Sequence, residues 1–388
     1  MKRNRKTRLF LCLTLVALAA LLLAACGEEE STDAASPTSD VAAGVEAAQT
    51  EVEANMGIPV WAAPGDPIDA KAIGGGKTFF SMPVSSEIPY NVAMEAAVEA
   101  AVQSFGGEYV GWPNQGKTEQ YVQGMEYAIS QKVDVITLTS GFDVRLVQPQ
   151  IEKATEAGIV VVASTFGGTT QGYEPYVSVA IPMQYEKAAE LMTDYAIWKT
   201  EGNLNALVIT ATDVYSSKSM IPTIEDTLAT NCPTAKTKWV DVQVPNWATQ
   251  IQTEVQSALV ADPDINYVIC LYDSMTTYVW QGLLAAGKNA GDVGITGFNG
   301  TPGPMQLVAE GKSSIDVGQD ILWAGYATID VGLRVLSDTP PNSGLVNENI
   351  PLRVFDETNA AEAGDPPSLT AGYGTVAVDG YSALWGLE

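Results

Sequence analysis

The chain has 388 residues, with 20 Lys and Arg against 46 Asp and Glu and no histidine. A formal charge of −26 excludes a broad nucleic-acid surface, which needs clustered Lys and Arg against phosphate, and extended docking on anionic lipid. The missing histidine removes Ser-His-Asp and Cys-His nucleophile systems and most zinc sites, while 46% hydrophobic residues suffice for two compact domains at this length.

The N-terminus reads as a secretion signal. "MKRNRKTR" is basic, residues 9–25 are apolar but short for a stable span, and small residues lead up to Cys26. The order Leu23-Ala24-Ala25-Cys26 resembles the bacterial lipobox. That resemblance implies a signal peptide over 1–25, cleavage before Cys26, and a lipid on its thiol. The protein is then extracytoplasmic, anchored to the bacterial cell membrane by Cys26. Cleavage takes away five basic residues and no acid, so 15 basic residues face 46 acidic ones and the charge becomes −31.

Residues 26–76, rich in Ala, Pro and Gly, read as a flexible tether with a short helical piece from Val41 to Asn55. Gly74-Gly75-Gly76-Lys77-Thr78 imitates the end of a phosphate loop. The required earlier glycine is Lys71, however, and a strand follows rather than precedes the motif, so no nucleotide site is read there.

From Thr78 onward, short Val- and Ile-rich runs alternate with helix-length amphipathic segments. The runs fall at 77–84, 108–113, 134–140, 159–165, 175–181, 205–213, 237–244, 266–273, 291–302 and 313–320. They are continuous rather than alternating, as in strands covered by helices on both faces. Strand and helix in regular alternation mean βαβ units with right-handed crossovers and parallel pairing. Ten strands exceed one small sheet, so the fold class is α/β, with two doubly wound lobes.

In open α/β sheets, ligands meet the carboxyl ends of the strands. Those positions hold residues 83–90, Pro113-Asn114, Ser140-Gly141, Ser164-Thr165-Phe166, residues 213–218, Pro245-Asn246-Trp247, Asp273, Asn299-Gly300-Thr301 and Gln319. Neutral hydrogen-bonding groups and aromatics dominate, with essentially one firm acid, Asp273. A carboxylate hydrolase needs two opposed acids about 5–10 Å apart, so no enzyme is read here, and no metal or cofactor. The set suits a neutral, hydroxyl-bearing molecule held against flat rings. Asn114 and Asp213 are open between turn chemistry and site, Asp273 can also cap the following helix, and Trp323 reads as packing. Cys232 reads as a loop thiol and Cys270 as a buried one, with a bond between them left open.

"KTEQYVQGMEYAISQKVDVITLTS", "EKATEAGIVVVAST", "DSMTTYVWQGLLAAGK", "VGITGFNGTPGPMQLVAEGK" and "SIDVGQD" follow one another at family-like intervals. From Lys77 to Asn359 the chain resembles the sugar-type, ribose-binding-like solute-binding proteins of ABC importers, the type I periplasmic binding proteins. Residues 294–311 carry the most specific likeness, to the family's strand–"GFDGTP"–helix signature. The resemblance implies lobes at 77–181 with 320–350 and at 182–319 with 351–388. Three hinge strands cross near Ile181-Pro182, Gly318-Asp320 and Pro351-Val354. It also implies a small neutral ligand, a sugar or polyol, closed between the lobes of a monomer and handed to an ABC permease. A receptor of the same fold presenting a signal molecule to a membrane kinase is the alternative.

Carried over residue by residue, the family's hinge-side Gln is Gln319, its acid after "NYVICLY" is Asp273, and its signature Asp is Asn299. The usual Asp-Arg after the fourth strand is replaced by Thr165-Phe166, the usual Arg falls near Ser217-Lys218, and the aromatic pair after the first strand is reduced to Tyr90. With Tyr215 and Trp247 these make the candidate ligand set. Asn299 both donates and accepts without charge. It suits a ligand that offers an acceptor, or it avoids a second negative charge beside Asp273.

Overall fold

The computed structural model describes residues 37–337, 346–368 and 371–387. The signal peptide, Cys12 and the lipidation position Cys26 lie outside the described residues. Two short-range helices come first, α1 (Pro37–Ala54) and α2 (Ala70–Gly74). The first sheet contains β1 (Thr78–Pro83), β2 (Glu108–Gly111), β3 (Val135–Thr139), β4 (Val160–Gly168) and β5 (Val179–Met183), in spatial order β2-β1-β3-β4-β5 and parallel throughout. Its connections carry α3 (Pro89–Ser104), α4 (Thr118–Gln131) and α5 (Gln148–Glu156).

The second sheet begins after α6 (Tyr185–Lys199) and runs through β6 (Asn205–Thr210), α7 (Ser217–Asn231), β7 (Lys236–Asp241), α8 (Trp247–Ala261), β8 (Tyr267–Cys270), α9 (Thr276–Ala285), β9 (Gly294–Asn299), α10 (Pro302–Ala309) and β10 (Ile315–Gln319). Its order is β11-β10-β9-β8-β6-β7. Ten strands match the expected runs. The eleventh, β11 (Leu352–Asp356), is antiparallel to β10 and follows α11 (Ile321–Leu336). Central strands such as β3 and β8 are buried at every residue, whereas edge strand β7 is mostly exposed and carries Lys236 and Lys238, a common guard against edge pairing.

The chain passes between the sheets at Met183–Tyr185, again at Gln319–Ile321, and a third time between Val346, whose N–H donates to Ala180 O at 2.9 Å, and β11. Asp320 caps α11 at the second crossing by accepting Trp323 N–H at 3.0 Å.

Two expected assignments are corrected. Part of the expected tether is folded onto the body. In α1, Ala48 and Val52 are fully buried against α6 and α7, and Glu51 pairs with Lys187 at 2.5 Å. A side chain at Gly44 would come within 2.0 Å of the Asn231 carbonyl, so glycine allows this close packing. Residues 55–69 then cross the hinge. Asn55 O accepts Val354 N–H at 2.8 Å, and Met56 O accepts Arg353 Nε at 2.9 Å. Trp61 packs on Trp323 and Tyr381 at centroid distances of 4.7 and 4.8 Å, and Ile68 N–H reaches Leu384 O at 2.8 Å. This strap is a fourth connection between the lobes.

The second correction concerns 351–388. β11 sits in the second sheet, but α12 (Val376–Leu384) packs on α11, and Trp385 stacks on Tyr326 at 5.3 Å while donating to Asp330 at 2.6 Å. Burial of that aromatic face draws the C-terminal helix to the first lobe. Cys232 and Cys270 are both buried free thiols; Cys232, expected in an open loop, lies against Gly202 O at 3.2 Å.

Candidate functional site

Three side-chain-bearing residues at strand carboxyl ends adopt backbone angles that favour glycine: Ser140 (φ 66), Thr165 (φ 51) and Asn299 (φ 148). Each such residue costs on the order of 1–3 kcal/mol and persists only where its surroundings impose it. They come from β3, β4 and β9, so both sheets concentrate strain at the ends that face the cleft. The side-chain oxygens Ser140 Oγ and Gln319 Oε1 are buried there without a partner among the described residues.

Gln319 ends β10 at the hinge. Its Nε2 donates to Tyr90 OH at 2.8 Å and to Asn299 Oδ1 at 3.2 Å. All three residues are buried. Burial pushes the Tyr90 phenol well above its ordinary range, and the nearby Asp273 charge acts in the same direction.

Asp273 is fully buried and accepts Thr301 N–H at 2.7 Å and Ser274 Oγ at 3.2 Å. Its carboxylate therefore braces the loop after β9 rather than capping α9. Burial pushes the Asp273 carboxyl up to about 6, against hydrogen bonds from Thr301, Ser274 and Asn299. Beside it lies Asp316 of β10, buried and accepting Gly300 N–H at 3.1 Å. Burial, with the Asp273 charge next, raises it well above the carboxylate range. Asp316, the second residue of β10 and so outside the strand-end set, thus supplies a second acid beside Asp273.

An aromatic pair bridges the lobes. Phe166 of β4 and Tyr215, just before α7, stack at 4.3 Å with planes 14° apart. The Arg145 guanidinium and the Lys218 ammonium lie 4.9 and 4.8 Å from the Tyr215 ring. Lys218 is exposed and Tyr215 half-buried. Tyr185, at the start of α6, donates to Thr165 O at 2.7 Å, a further bond between lobes.

Ser217 and Trp247 meet elsewhere, on Tyr272. Ser216 Oγ and Ser217 Oγ each lie 2.9 Å from its hydroxyl, and Trp247 stacks on its ring at 6.0 Å. The Trp247 indole N–H is occupied by Val242 O at 2.9 Å. Asn114 and Asp213 do turn chemistry. Asn114 donates to Pro83 O and accepts Gly116 N–H, both at 2.9 Å, and Asp213 accepts Val244 N–H at 3.0 Å. Tyr185, Tyr272, Arg145 and Asp316 were not among the expected site residues. Only Tyr272, adjacent to Asp273, carried a positional signal.

Two doubly wound lobes with hydrogen-bonding and aromatic side chains at their facing strand ends define a two-lobed binding protein of the type I fold. Residues 78–340 match the family described as periplasmic binding protein domain, and the chain belongs to that family. An ABC sugar transporter subunit from Rhodobacter sphaeroides 2.4.1 is 18% identical with a TM-score of 0.63, over 74% of this chain and 99% of that one. An ABC transporter solute-binding protein from Bacillus halodurans C-125 with bound myo-inositol is 17% identical with a TM-score of 0.62, over 76% and 99%. Another from Agrobacterium vitis, with bound allitol, is 19% identical with a TM-score of 0.63, over 74% and 98%. No curated protein sequence is significantly similar to the chain. At these identities the solved structures establish the shared fold.

Proposed function

We propose that this protein is an extracytoplasmic solute-binding protein that takes a small neutral sugar or polyol between its lobes and delivers it to an ABC importer. The observation that carries this reading is the buried Tyr90–Gln319–Asn299 hydrogen-bonded set beside Asp273, drawn from both lobes and flanked by the Phe166–Tyr215 stack. It offers donors and acceptors for hydroxyls and flat faces for C–H groups, with little net charge to match. The ligands named for the structural neighbours, myo-inositol and allitol, are of this class. Thr165 and Lys218 complete the proposed ligand surroundings, with Ser217 and Trp247 acting through Tyr272. A ligand touching both lobes favours the closed arrangement by its differential contacts.

Lipidation at Cys26 is proposed as the anchor, and a Cys26→Ser variant would then move from the membrane fraction to the soluble one. Among the described residues no helix is long and apolar enough to cross a membrane. The functional test is calorimetric titration with a panel of pentoses, hexoses and polyols, alongside mass spectrometry of whatever the denatured protein releases. Heat of binding from at least one panel member supports the reading. No binding at millimolar concentration and no released carbohydrate would overturn it.

A further inference from the structure

The register of the second sheet sets Asp316 of β10 directly beside Gly297 of β9. A Cβ at Gly297 would lie 2.9 Å from Asp273 Cα and 3.3 Å from Asp273 Cβ. Asp273 therefore comes down on β9 at a position without a side chain, next to Asp316. The Asp273 charge bears on the Asp316 carboxyl, and both residues are at most 1% exposed. Each takes one of two consecutive backbone N–H groups, Gly300 to Asp316 and Thr301 to Asp273. Among the described residues neither carboxyl has an ion pair with Lys or Arg. Two like charges in contact inside a low-dielectric interior do not both ionise readily.

We propose that Asp273 and Asp316 hold one proton between them and that Asp316 is a positioning residue of the ligand site, the pair together clamping the Asn299–Thr301 loop. This rests on the reading of the cleft given above. The clamp explains how Asn299 is kept at its strained backbone angle while its amide oxygen faces Gln319, whose own Oε1 has no partner among the described residues. A shared proton also leaves a carboxyl O–H in a site whose other acid oxygens only accept.

The neighbouring titratable and charged groups are few. Asp320 follows the last residue of the same strand and is itself pushed up to about 7 by burial. Tyr373 faces the pair from the C-terminal segment and Tyr90 from α3. Arg353 of β11 is engaged by Glu362 and by the carbonyls of Met56 and Gly372.

Carbon-13 NMR of aspartate carboxyls in the ligand-free protein, titrated from pH 4 to 9, tests the pair. Wild type, Asp273→Asn, Asp316→Asn and Asp320→Asn assign the signals, and Asp194→Asn removes a further acid, remote from the pair, that burial pushes up to about 6. In wild type, the Asp273 and Asp316 signals are expected to shift together over two separated steps. Asn at 316 still accepts the Gly300 N–H, so the loop stays clamped while Asp273 titrates at least one pH unit lower. Should Asp316→Asn fail to fold, Asp273→Asn reports the same linkage from Asp316. Both carboxyls ionised at pH 5 in wild type, or an unmoved titration of the remaining acid in the variants, would overturn the inference. The readout needs no ligand. An unlinked titration with sugar binding intact therefore defeats this inference alone, and a linked titration in a protein that binds no sugar defeats the functional reading.

Discussion

The Gln319 amide at the end of β10 donates to the Tyr90 phenol in α3 at 2.8 Å, joining the hinge side of one lobe to the first helix of the other. Tyr90→Phe deletes the acceptor and leaves the Gln319 Nε2 only Asn299. The expected cost is about 1–2 kcal/mol in stability and up to tenfold in sugar affinity. Urea denaturation and calorimetry of the same sample check both. An unchanged affinity would remove Tyr90 from the ligand site.

Asn299 separates strain from function. Its φ of 148° suits glycine, so Asn299→Gly should stabilise the ligand-free protein by about 1 kcal/mol while weakening sugar binding about tenfold or more. A variant that melts higher and binds worse is the expected pairing. One that melts lower would show that the amide's contact with Gln319 outweighs the backbone relief.

Asp273→Ala should affect both properties. It strips the acceptor from Thr301 N–H, which is buried, so a stability loss of about 2–3 kcal/mol is expected together with loss of binding. Asp273→Asn, which keeps an acceptor oxygen, should recover most of the stability. Comparing the two denaturation curves isolates the brace.

Stability should fall as pH rises through the acidic-to-neutral range. Asp273 and Asp320 have folded values pushed by burial to about 6 and about 7, and Asp316 is raised further by burial and by Asp273. A carboxyl whose folded value exceeds its unfolded one favours the folded state fully below about pH 4, and that advantage is lost as pH climbs through the folded value. Urea midpoints measured from pH 4.5 to 8 should decline in wild type and decline less in Asp316→Asn combined with Asp320→Asn, where Asp194, pushed up to about 6 by burial, still contributes.

Trp61→Ala removes the ring wedged against Trp323 and Tyr381. The expected loss is about 2–4 kcal/mol, since truncating a packed tryptophan leaves a cavity. Unchanged denaturation would mean that the strap contributes little to the folded state.

Strand ends were readable because a buried parallel strand announces itself by a continuous apolar run, and the turn after it by Gly, Asn and Asp. That brought Gln319, Asp273 and Asn299 into view, and the structure joins them in one network with Tyr90. The direction of a side chain at such an end is not readable in the same way. Trp247 sits where a ligand-facing ring would sit, yet its indole turns to Val242 O and its face to Tyr272. Asp316 stayed hidden because "SSIDVGQD" shows only an acid in a strand; its meaning comes from the neighbouring strand's register with Gly297. The strap was missed for a similar reason. Trp61 stands in a Pro- and Gly-rich stretch, and its partners lie more than 250 positions away in the chain.

The strap has a consequence for how affinity can be adjusted. A two-lobed receptor's measured affinity contains the free energy of its own closing, so whatever shifts that equilibrium shifts the affinity by the same factor. Residues 55–69 run beside the hinge strands and bond to Arg353 and Val354, whereas the side-chain partners of Gln319 and Asp273 are Tyr90, Asn299, Thr301 and Ser274. Substitutions there can retune how tightly the cleft holds its solute while every residue that meets the solute stays the same. The family match covers residues 78–340, so both the strap and the β11 residues it touches lie outside the matched span.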